Sequence, residues 1–162
     1  SLYVNPWYTL PPSPRDNVEL MTWIERILPE DEALASDFST SAAILAHTGR
    51  PILLQPKYET VRSRERIESF CRALYQGRPD ELAAWMRSLD CRWLVLNRPF
   101  VGGNAQDLGG ITPQQFALYR DTAVVALMSD DANVFTRIPG FELVYASPPQ
   151  LRFLSYRVFR LR

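Results

Sequence analysis

Apolar positions fall into helical and strand-like runs that alternate along most of the chain. Leu20, Trp23, Ile24 and Ile27 recur on one helical face. Ser13 is placed to cap that helix, Pro14 suits its first position, Asp16 favours its first turn, and Pro29 ends it. Ala33-Leu34-Ala35-Ser36 is a short apolar run and predicts a first strand. Asp37-Phe38-Ser39-Thr40-Ser41 is rich in capping side chains and leads into a short helix over Ala42–His47, closed by Gly49. Pro51-Ile52-Leu53-Leu54-Gln55 predicts a second strand, continuous in apolar character as for a strand covered on both faces. Ile67, Phe70, Cys71, Leu74 and Tyr75 follow the spacing i, i+3, i+4, i+7, i+8 of an amphipathic helix that Gly77 stops. A further helix starts near Pro79 with Leu82, Trp85, Met86 and Leu89 on one stripe, and Arg92–Asn97 predicts a third strand.

The pattern loosens after Asn97. Arg98 to Thr112 contains two Gly-Gly pairs and is long for a connection inside a compact domain. Thr112-Pro113 opens a helix with Phe116, Tyr119, Ala123 and Leu127 on one side. Glu142–Ala146 and Phe153–Phe159 flank Pro148-Pro149-Gln150 and predict a closing hairpin. Strands alternating with helices imply parallel pairing through right-handed crossovers. The expected fold is α/β: a three-layer, Rossmann-like domain with a short, mostly parallel sheet and a C-terminal antiparallel hairpin. Residues 1–14, with four prolines, form a lead-in, and residues 15–162 form a single soluble domain.

Composition narrows the function classes. At 162 residues, 46% hydrophobic and 22% charged, the chain can bury one core. Eighteen basic residues balance eighteen acidic ones, which disfavours nucleic acid as a partner. The two cysteines, Cys71 and Cys91, fit either buried thiols or a disulfide. With a single histidine, His47, and no CxxC, no metal site is expected. The sequence has no GxSxG elbow, no GxGxxG and no phosphate loop, so neither a hydrolase nucleophile nor a standard nucleotide cofactor is expected. His47 at a helix end reads as structural, and Trp23, Trp85 and Trp93 read as packing.

In open parallel sheets, ligands sit beyond the carboxyl ends of the strands. Three loops answer that description: Asp37 to Ser41, Lys57 to Arg64, and Asn97 to Asn104. They put Asp37, Ser39, Thr40, Lys57, Tyr58 and Asn97 forward as binding residues, with no catalytic residue among them. Asp37 fits either a helix cap or a carboxylate that holds a cation, a sugar hydroxyl or an arginine. Lys57, Arg62, Arg64 and Arg66, interleaved with Glu59, Glu65 and Glu68, read as a solvated helix face, the alternative being a phosphate or lipid-headgroup contact.

Leu28-Pro29-Glu30-Asp31-Glu32-Ala33-Leu34-Ala35-Ser36-Asp37-Phe38 resembles the start of the extracytoplasmic domain of GT-C-class polytopic membrane glycosyltransferases. That class includes oligosaccharyltransferase catalytic subunits and protein mannosyltransferases. Thr48–Leu54, Leu89–Leu96, Phe141–Ala146 and Tyr156–Val158 follow in the same order, so the likeness covers about residues 16–160. The oligosaccharyltransferase branch carries Trp-Trp-Asp-Tyr-Gly after the first strand. Here Ala35-Ser36-Asp37-Phe38-Ser39 keeps the aspartate and an aromatic residue but lacks the tryptophans and the glycine, so acceptor-sequon recognition is not carried over.

The resemblance implies a non-catalytic extracytoplasmic domain without a cofactor of its own. It would be joined through residues 1–14 to the transmembrane portion of the same polypeptide, where the catalytic carboxylates and metal of the class reside. The implied parent is a glycosyltransferase using lipid-linked sugar donors, with the domain supporting donor or acceptor. Tyr3, Trp7 and Tyr8 suit the exit from a membrane helix, and equally a tail packed on the domain. The alternative is a free-standing domain that binds a nucleotide or sugar in the same crevice.

Overall fold

A computed structural model of the chain describes residues 14–54, 60–97, 122–128, 138, 140–147 and 156–162. In chain order the described elements are α1 (Pro14–Ile27), β1 (Leu34–Ala35), α2 (Phe38–Thr48), α3 (Val61–Tyr75), α4 (Pro79–Ser88), β2 (Trp93–Asn97), α5 (Ala123–Met128), β3 (Phe141–Ala146) and β4 (Tyr156–Leu161).

The four strands form one sheet in the order β1-β2-β4-β3. β1 runs parallel to β2, with Leu34 opposite Trp93 and Ala35 opposite Leu94. β4 lies antiparallel to β2 from Trp93/Arg160 to Asn97/Tyr156. β3 pairs antiparallel with β4 and carries an irregularity between Leu143 and Tyr145.

The three layers follow from side-chain alternation along β2, every residue of which is buried. Trp93 and Val95 join Leu34, Tyr156 and Val158 on one face, under Leu20, Met21, Ile24 and Leu28 from α1 and its end and Ile44 from α2. Leu94 and Leu96 join Phe159 and Leu161 on the other, under Phe70 and Leu74 of α3, Leu82 and Met86 of α4, and Leu127 of α5. Trp85 links α3 to α4 by donating its indole N–H to Ser69 Oγ at 3.0 Å. Thr60 caps α3 by accepting from the Ser63 N–H, and Gly49 closes α2 at φ 65°.

The α/β class, the layering and the hairpin agree with the sequence reading, but the balance within the sheet is corrected. The expected second strand contributes one parallel bridge, Ile52 with Leu34. The Leu34 N–H donates to Pro51 O and the Leu53 N–H to Leu34 O, after which the chain leaves the sheet. Most of the pairing is antiparallel, because β4 enters beside β2 rather than closing the edge. Burial explains that order. Tyr156, Val158, Phe159 and Leu161 are all buried, as an inner strand requires, whereas β3 leaves Leu143 38% exposed and is the edge.

Helix faces shift slightly from expectation. Leu28 replaces Ile27 as the buried end of the α1 stripe, and Ile27 is exposed. Cys71 and Tyr75 lie on the exposed side of the α3 stripe, because a core stripe two residues wide ends at Phe70 and Leu74. Ser13 and the residues from Arg98 to Asp121, including the long loop and most of the helix expected after Thr112, lie outside the described residues.

Candidate functional site

β1 is short because side chains take over its hydrogen bonding. Ser36, directly after it, donates its hydroxyl to the Val95 carbonyl of β2 at 2.8 Å. The Ser36 carbonyl in turn accepts from the Ser41 hydroxyl at 3.1 Å. The chain can therefore turn out of the sheet without leaving these buried groups unsatisfied. Asp37 follows with extended backbone angles and caps α2, its carboxylate accepting from the Thr40 N–H at 3.0 Å. The cap reading of Asp37 holds, and it fixes the N-terminus of α2 at the carboxyl end of β1.

Thr40 and Asn97 mark this end of the sheet. Thr40 is the third residue of α2, and Asn97 is the last residue of β2, paired through its backbone with Tyr156. Their side chains are 3% and 2% exposed. Thr40 Oγ1 and Asn97 Oδ1 are buried without a hydrogen-bond partner. Two such oxygens near a helix N-terminus are the polar features a hydroxyl-bearing or amide-bearing ligand would use. Ser39 occupies the second position of α2. Lys57 and Tyr58 lie outside the described residues.

Tyr75, read from the sequence as core, belongs to this neighbourhood instead. Burial of its hydroxyl, then the charges of Cys71 and Asp37, push its pKa up to about 12, so the phenol is protonated and able to donate near neutral pH. Its i+4 spacing from Cys71 fits a core stripe as well as a stripe's margin, which is why the sequence alone does not separate the two.

His47 is exposed near the far end of α2. Ten residues of helix put it ~15 Å along the axis from Asp37, so the two cannot act as a hydrogen-bonded pair. Among the described residues, no group of three or more His, Cys, Asp or Glu side chains could hold a metal ion. Cys71 and Cys91 are both free thiols, Cys71 exposed and Cys91 buried. Arg62 and Arg64 are exposed on α3, as expected for a solvated face, while Arg66 reaches Leu53 O at 3.4 Å.

The fold is that of the C-terminal globular domain of an oligosaccharyltransferase from Archaeoglobus fulgidus. The two align with a TM-score of 0.61 over 90% of this chain and 96% of that one, at 14% identity. Residues 12–101, more than half of the chain, match the family described as "Dpy19: Q-cell neuroblast polarisation". The chain belongs to the Dpy19 family, and it is a domain related to the GT-C glycosyltransferases. The matched span runs from the start of α1 through β2 and so contains Asp37, Thr40, Tyr75 and Asn97. The resemblance drawn from the sequence phrases is thereby borne out.

Proposed function

We propose that this chain is the non-catalytic, extracytoplasmic domain of a membrane glycosyltransferase that uses a lipid-linked sugar donor. The domain helps to bind donor or acceptor in the crevice at the carboxyl ends of β1 and β2. The residues assigned to this binding role are Asp37, Ser39, Thr40, Lys57, Tyr58 and Asn97. Membership of the Dpy19 family carries this reading. The two unpartnered oxygens of Thr40 and Asn97 support the choice of crevice. The active carboxylates and the metal belong to the membrane portion of the parent polypeptide. No helix among the described residues is long and apolar enough to cross a membrane.

Sugar transfer by the parent protein in proteoliposomes, with the lipid-linked donor and an acceptor peptide varied separately, tests both halves. Thr40→Val and Asn97→Leu should raise the KM for one of the two substrates and leave kcat nearly unchanged, as expected for lost binding without lost chemistry. An unchanged KM for both substrates removes the crevice from the proposal. Transfer catalysed by the isolated 162-residue chain overturns the non-catalytic assignment.

A further inference from the structure

At the opposite end of the sheet lies a half-open cleft of about 560 Å³, lined by Arg87, Asp90, Cys91, Arg92, Glu142, Arg160, Leu161 and Arg162. The five-residue length of β2 separates it from the crevice at Asn97 by ~17 Å. Its four guanidinium groups exceed its two carboxylates by two charges, in a chain whose formal net charge is zero.

Three of these arginines are held in place. Arg87 donates to the main-chain oxygen of Arg162 at 3.0 Å. It passes over Gly140, where a Cβ would stand 3.2 Å from the Arg87 terminal nitrogen. Arg160 lies with its guanidinium carbon 5.6 Å from the centre of the Trp93 ring, opposite Trp93 in the β2–β4 ladder. Arg162 pairs with Glu142 at 3.3 Å, and Glu142 also stands opposite Arg160 in the β3–β4 ladder. Among the described residues the Arg92 guanidinium has no hydrogen bond or ion pair, its backbone carbonyl alone accepting from the Leu161 N–H. The Arg160 guanidinium has only its ring contact, so two forks of N–H donors are available to a ligand.

We propose that this cleft binds a phosphate-bearing anion, either a soluble phosphate ester or the phosphate of a lipid headgroup. Planar guanidinium forks from α4, the lead into β2 and the end of β4, lining one cleft, suit a tetrahedral oxyanion, which accepts several charge-assisted hydrogen bonds at once. The carboxylates set the balance: Glu142 neutralises Arg162, and exposed Asp90 tempers the field without closing the cleft. The cleft is large enough to admit more of a ligand than its phosphate. The proposal is independent of the role given to the Asn97 crevice.

Titration of the 162-residue chain with inorganic phosphate and pyrophosphate tests it. Flotation with phosphatidylcholine vesicles, with and without phosphatidic acid, runs beside the titration. Saturable binding is expected to at least one probe, weakened ~tenfold or more in Arg92→Gln/Arg160→Gln and several-fold in Arg92→Gln alone. The single variant removes a side chain without structural partners, so it reports binding even if the double variant misfolds. Arg62→Gln/Arg64→Gln, on the exposed face of α3, should bind as the parent does. Binding of the soluble anions assigns the cleft to a soluble ester; binding confined to phosphatidic acid vesicles assigns it to a headgroup. Absence of saturable binding to every probe overturns the proposal. So does unchanged affinity in Arg92→Gln, or an equal loss in the α3 control.

Discussion

Replacing Asp37 separates the role of a helix cap from the role of a ligand-binding carboxylate. The side chain accepts a charge-assisted bond from the Thr40 N–H at 3.0 Å, at the first turn of an eleven-residue helix. Loss of an N-cap acceptor costs ~1 kcal/mol, and loss of a negative charge beside the helix N-terminus adds roughly 0.3–1 kcal/mol. Asp37→Ala should therefore lose ~1–2 kcal/mol. Asp37→Asn keeps the acceptor and should lose only the charge contribution, at most ~1 kcal/mol. For a chain of this size each kcal/mol moves the melting temperature by ~2–4 °C. Urea denaturation of the two variants beside the parent chain measures both losses. An Asp37→Ala midpoint indistinguishable from the parent refutes the cap. An Asp37→Asn loss equal to that of Asp37→Ala refutes the claim that the acceptor carries most of the effect. In the membrane protein proposed as its parent, Asp37→Asn then reports function on a nearly intact fold: a raised substrate KM would place the carboxylate at the binding site.

Three further outcomes follow from burial. Burial pushes the Cys91 thiol up from 9.0 to about 11, its hydrogen bonds opposing the shift. A raised folded pKa means that stability is complete below pH 9 and is lost as the pH climbs through about 11. The loss amounts to ~2–3 kcal/mol. Denaturation midpoints across that window should fall for the parent and fall less steeply for Cys91→Ala. Tyr75 adds a smaller loss between pH 10 and about 12, reduced by solvent screening of its partly exposed ring. Phe159 is fully buried on β4 and meets Phe141 edge-on at 6.3 Å. Phe159→Ala should cost ~3–5 kcal/mol in urea, and a loss below ~1 kcal/mol would refute the placement of β4 inside the sheet.

The elements of this domain were largely legible because each obeys a local rule. Gly49 takes a left-handed conformation that a helix end needs, Asp37 and Thr60 supply the oxygens that helix starts need, and Pro79 stands at a first helical position. The apolar run Trp93–Leu96 made the strand at Arg92–Asn97 legible, and β2 is buried along its whole length. The phrases resembling GT-C domains pointed to the class for a related reason, since the order of such elements survives where individual residues change.

The candidate sites divide along the same line. Asp37, Thr40 and Asn97 could be proposed from sequence because strand ends are predictable, and ligands gather there in sheets of this kind. The arginine cleft could not be. Arg87, Arg92, Arg160 and Arg162 come from α4, the lead into β2 and the end of β4, and no spacing in the chain connects them. What joins them is the antiparallel register that sets Arg160 opposite Trp93 and brings the Leu161 N–H to Arg92 O at 2.7 Å.

By itself, then, the sequence determined which segments are helix or strand, that the sheet is covered on both faces, and to which class of glycosyltransferase the chain is related. Those properties rest on local periodicity, capping and the order of elements. Strand order, the reduction of the Pro51–Gln55 run to one bridge, and the meeting of distant arginines were decided only in three dimensions. There, packing against both layers of helices placed β4, with four of its six residues buried, inside the sheet and left β3 at the edge.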